Sequence, residues 1–131
     1  MSQYRKAKTV IKDLKHLLAA LERLWPGQVR CAEENTIRMS WSDQQVQLLV
    51  PSRVLGTGYD DLGFKRVEDG YEVFVPDHSA RDLKIGQEAL ADIEQQYRYF
   101  AQVERLEQLG YTVVEETEED GEIHLEVYRG Y

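Results

Sequence analysis

Three histidines, a single cysteine and one glycine-bearing loop are the residues whose types invite chemistry. His16, His78 and His124 stand far apart, and none has a second histidine or a cysteine at the spacing of a metal centre. Asp77-His78 with Asp82 offers oxygen donors to a hard cation, but three such residues near one loop are ordinary. Cys31 precedes Glu33-Glu34, whose field raises a thiol pKa, so it reads as a strand residue packed in or near the core. No Gly-x-Ser-x-Gly nucleophile elbow is present. Gly56-Thr57-Gly58 would cradle a phosphate if a helix followed and a lysine stood near; a strand is expected next, and Asp60-Asp61 repels anions. The residues therefore supply no catalytic set, no metal centre and no cofactor site, and they point away from an enzyme.

Two binding readings remain. Pro51–Asp61 is the longest stretch without periodicity, and loops of that length in small domains often carry function. A small-molecule site or enzymatic domain there would use Arg53, Gly58, Tyr59 and Asp60 with Arg66 and His78. The other reading starts from eight tyrosines and two tryptophans. Tyr97 and Phe100 share one helical stripe, so Tyr99 points elsewhere. With Tyr59, Tyr128 and Tyr131, and beside Glu116, Glu118 and Glu119, it outlines a surface for a protein partner or a second copy. A tyrosine-rich core accounts for the same composition. The interaction reading leads.

The elements that must position these residues follow from spacing. Leu14, Leu17, Leu18, Leu21, Leu24 and Trp25 recur at three- and four-residue steps, which predicts a helix over Asp13–Trp25 stopped by Pro26-Gly27. A second helix is expected from about Asp82 to Leu109, capped by Ser79 or Asp82, bent or split at Gly86 and ended by Gly110. Strands are expected at Gln3–Thr9, Thr36–Trp41 (with Ile37, Met39 and Trp41 inward), Gln45–Val50, Phe64–Val67, Tyr71–Val75, Tyr111–Thr117 and Glu122–Tyr128. Asp69-Gly70 and Asp120-Gly121 mark hairpins. A two-residue turn at Asp120-Gly121 pairs Glu118 with Ile123 and Glu116 with Leu125, which sets acids on the apolar face and favours a longer or bulged turn. The order is β-α-β-β repeated: an α+β fold, one antiparallel sheet with two helices on one face, a ferredoxin-like sandwich.

Length and charge set the outer bounds. The 131 residues make one domain, 1–131, large enough to bury roughly two thirds of its unfolded surface. The formal net charge of −8 argues against nucleic acid. Charge is uneven: seven Lys/Arg face two acids over residues 1–31, and seven acids face Arg129 over residues 111–131. Either the two ends screen each other within one sheet or they draw a partner. No apolar run approaches the about 20 residues of a membrane span, and the first residues lack a signal peptide's apolar centre, so a cytoplasmic protein is expected.

Four stretches together resemble a family of small uncharacterised proteins of cyanobacteria, some encoded in algal plastid genomes as hypothetical reading frames. They are Met1-Ser2 leading into Thr9–Leu21, Gly58-Tyr59-Asp60 to Gly63-Phe64, Asp69-Gly70-Tyr71-Glu72-Val73, and Gln95-Gln96-Tyr97-Arg98-Tyr99 through Gly110–Glu116 to Glu118–Gly121. Two departures stand out: Asp61 lengthens a Gly-Tyr-Asp-aliphatic-Gly-Phe motif, and Val75–Ala80 lacks a tryptophan pair. The resemblance implies no activity and no catalytic residue. It implies genomic company with AAA-type ATPases and small ferredoxin-like partners, hence an accessory or adaptor role, and a plastid stroma location for organellar members.

Overall fold

The computed structural model describes residues 4–32 and 35–129. Gln3, the Glu33-Glu34 pair and Tyr131 lie outside the described residues, as do the side chains of Glu119 and Arg129. In chain order the elements are β1 (Tyr4–Ala7), α1 (Leu14–Leu24), β2 (Arg30–Cys31), β3 (Ile37–Arg38), β4 (Gln45–Val46), β5 (Leu48–Val50), α2 (Ser52–Leu55), β6 (Leu62–Val67), β7 (Gly70–Pro76), α3 (Ala80–Gln108), β8 (Tyr111–Glu119) and β9 (Glu122–Arg129). Five of the strands form an antiparallel sheet in the order β1-β7-β6-β5-β2. The fold is α+β, as the alternation of patterns predicts.

Side chains on successive strand residues point to opposite faces, and this sheet is buried on one face and over part of the other. Leu48, Val50, Leu62, Phe64, Val73 and Val75 meet Leu17, Ala20 and Leu21 of α1 and Ala89, Leu90 and Ile93 of α3. Both main helices thus cover one face. Leu49 and Phe74 point to the other face, where the β3–β4 hairpin closes over them with Ile37, Met39 and Val46. The expected strand Gln45–Val50 is therefore two strands in two layers, parted at Gln47. Three-layer burial explains why Val46 and the run Leu48–Val50 are all apolar and buried.

α1 starts where Asp13 accepts the His16 amide at 2.9 Å, satisfying a donor that a helix start leaves unbonded. α3 starts at Ser79, which accepts the Asp82 amide at 3.1 Å, and runs 29 residues without a break. The split expected at Gly86 is absent. Glycine stands there because α3 crosses β7 so closely that a Cβ would lie 2.6 Å from Pro76 Cδ and 2.7 Å from Val75 Cγ1.

The C-terminal hairpin stands apart: β8 and β9 form their own two-stranded sheet and do not extend the main one. The Asp120-Gly121 turn keeps two residues, with φ of 51° and 78°, and the bulge falls at Val114, between Val113 and Glu115. No helix among the described residues is long and apolar enough to cross a membrane.

Candidate functional site

The loop between β5 and β6 is held from beneath by a buried carboxylate. Asp61, 3% exposed, accepts the Ser52 amide through Oδ1 at 3.0 Å and the Ser40 amide through Oδ2 at 2.8 Å. Its own amide donates to the Tyr4 hydroxyl at 3.2 Å, and that hydroxyl donates to the Ser40 carbonyl at 2.8 Å. Both backbone groups of Ser40 are therefore fixed by residues distant in sequence. Burial, with the charges of Asp61 and Asp60 nearby, pushes the Tyr4 pKa well above the phenol range. Farther along, Thr57 Oγ1 donates to the Asp60 carbonyl at 2.6 Å, and the Gly58 amide points to the buried Asp82 carboxylate at 3.4 Å.

These anchors present three rings to solvent. Trp41 follows the clamped Ser40, is 67% exposed and has a φ of 60°. For a bulky residue that left-handed backbone costs roughly 1–2 kcal/mol. Tyr59, 55% exposed, meets Trp41 edge to face with centroids 6.1 Å apart, and meets His78 the same way at 5.7 Å. An exposed tryptophan on strained backbone, seated among rigid anchors, is a combination that cores do not need.

The sequence-predicted residues divide between places. Gly58, Tyr59, Asp60 and His78 gather at this loop; Asp60 is fully buried, and Arg53 sits exposed on α2. Arg66 does not join them. It lies at the other end of β6, in a recess with Lys12, Asp13, Glu68 and Tyr71. Asp77 pairs with Arg5 at 3.3 Å, and among the described residues no group of three His, Cys, Asp or Glu is placed to hold a metal. Cys31 lies in a strand, as expected, but is exposed, because the two-residue β2 is the sheet's edge and neither of its residues is covered.

Tyr99 and Glu116 lie about 25 Å along α3 from Asp82, at 1.5 Å per residue. There the Tyr99 hydroxyl donates to Glu116 at 2.6 Å, Glu116 also pairs with Arg23, and the Arg23 guanidinium covers the Tyr99 ring at 4.8 Å. Burial disfavours the charge on Glu116, but these bonds outweigh it and hold its carboxyl below the usual range. This trio fastens β8 to α1 and α3, and it screens part of the basic start of the chain with its acidic end. Glu118 is exposed, opposite Ile123.

One histidine is locked. His16 Nδ1 is buried 2.7 Å from Asp13 Oδ1 and Nε2 is bonded to Glu104, so neither ring nitrogen is open to a substrate. Sequence reasoning missed Trp41, taken as an inward strand residue, because β3 ends at Arg38 and alternation no longer holds beyond it. It also missed Asp61 as an anchor; an acidic pair set between Tyr59 and Leu62 was the available signal.

A family model described as a protein of unknown function (DUF1257) matches residues 21–126. No curated protein and no solved structure matches the chain.

Proposed function

The chain belongs to the DUF1257 family, and we propose that it is a non-catalytic protein-binding module whose docking point is the Trp41–Tyr59–His78 corner. The observation that carries this reading is the pairing of exposure with strain at Trp41. A residue that neither fills the core nor relaxes its backbone is retained for what it contacts outside the chain. Rings with one apolar face and one wet edge suit a protein surface. The finer reading is an adaptor that works in the cytoplasm, or in the plastid stroma, beside an AAA-type ATPase. That part rests on the family resemblance, and the single-domain extent 1–131 belongs to the same proposal.

Affinity capture from the source cell tests it, with wild type and Tyr59→Ala compared side by side. A partner enriched on wild type, an AAA-type ATPase in the finer reading, and lost from Tyr59→Ala is the expected result. Equal capture by both proteins, or nothing held by wild type, contradicts the proposal.

A further inference from the structure

Two-stranded hairpins are marginal by themselves, yet β8 and β9 stand as a sheet of two. The two-residue turn makes Glu119 and Glu122 a hydrogen-bonded pair, and the pattern alternates from there. Glu122, His124 and Glu126 commit their backbone groups to β8, while Ile123, Leu125 and Val127 aim N–H and C=O away from it. Among the described residues no strand takes that outer edge.

The side chains of β9 favour a particular occupant. On its outer face Glu126 lies across from Glu115, and hydrogen bonding and repulsion between these two acids push the Glu126 carboxyl above the usual range. His124 shares that face, opposite Thr117 and 3.8 Å from Glu122. On the inner face Val127 is 37% exposed. A twofold axis perpendicular to the sheet sets residues on the same face opposite one another. Centred on Glu126, it opposes Glu126 to its own copy; centred on His124, it opposes Glu126 to Glu122. Centred on Leu125, it sets Glu126 against the second copy's His124, twice, and Val127 against the second copy's Ile123, twice. The His124–Glu126 pairs then fall at non-hydrogen-bonded sites, where strands bring side chains closest.

We infer that two copies of this chain join through the β9 edge, with the twofold axis at Leu125, into one four-stranded antiparallel sheet. The helices allow it. α3 is fastened to β8, and the two β8 strands would lie about 14 Å apart, beyond the about 10–12 Å diameter of a helix.

Charge reversal tests the register. By sedimentation velocity across a concentration series, wild type forms a reversible dimer, and His124→Glu or Glu126→Lys alone weakens it about tenfold. The double variant restores it, since the introduced acid then opposes the introduced cation across the same two sites. Amide exchange gives a second reading on unmodified protein: the Ile123, Leu125 and Val127 amides slow as concentration rises. A chain that stays monomeric with those amides fast overturns the inference and leaves the edge to another protein's strand. A dimer indifferent to both reversals, or a double variant as weak as the singles, overturns it too.

Discussion

The Tyr97 hydroxyl on α3 donates to Asp13 at 2.7 Å, so the residue that caps α1 is also the residue that ties the two helices together. The same carboxylate holds His16, whose other nitrogen reaches Glu104. Five residues from two helices thus share one network, since Lys15 also pairs with Glu104 at 3.2 Å.

That network sets a pH dependence. Burial opposes the charge on His16, but its bonds to Asp13 and Glu104 outweigh burial and raise its pKa above the ordinary 6.5. A raised value means stabilisation that is complete below 6.5 and lost as pH climbs through the folded value. The Asp13 and Glu104 pKa values are lowered from 3.8 and 4.5, so their part is lost only as pH falls through still lower values. The thermal midpoint is therefore expected to drop by a few degrees between about pH 6 and pH 9, and the drop should flatten in His16→Gln. Melting curves of both proteins at the two pH values decide it.

Gly86→Ala should destabilise despite improving helix propensity by about 1 kcal/mol. The new methyl would press on Pro76 and Val75, which belong to a buried strand and cannot swing away. Overpacking of that kind costs about 1–3 kcal/mol, and a denaturant melt with unchanged slope is the check.

Arg23→Ala should loosen the C-terminal hairpin more than the sheet. It removes the Glu116 pair and the cation over Tyr99, together worth about 1 kcal/mol at this partly exposed site. Amide exchange is expected to quicken along β8 and β9 while β6 and β7 keep their protection. Uniform acceleration through the main sheet would contradict this.

The helices were legible in the sequence because leucine spacing and capping residues are local signals, and Asp13 and Ser79 perform as their types suggest. The hairpin turn was legible for the same reason. Its register was not: Glu116 opposite Leu125 looked like a fault to be relieved at the turn, whereas the partners that satisfy it, Arg23 and Tyr99, come from distant elements that periodicity does not connect. The hairpin's separation from the main sheet is equally a matter of tertiary packing. At the candidate site, Tyr59 and His78 were legible as an exposed aromatic and a loop histidine. Trp41 was not, since the alternation of Ile37 and Met39 extends to it on paper while the chain has already turned.

Trp41→Gly separates binding from folding most directly. Glycine adopts a φ of 60° freely, so replacing an exposed, strained tryptophan should relieve about 1–2 kcal/mol of strain, offset in part by glycine's freedom in the unfolded chain, and leave the melting temperature unchanged or higher. Quantitative partner capture on the same preparations should fall to background. A clear loss of thermal stability would place Trp41 in the fold's own support, and undiminished capture would remove the aromatic corner from recognition; either result contradicts the account.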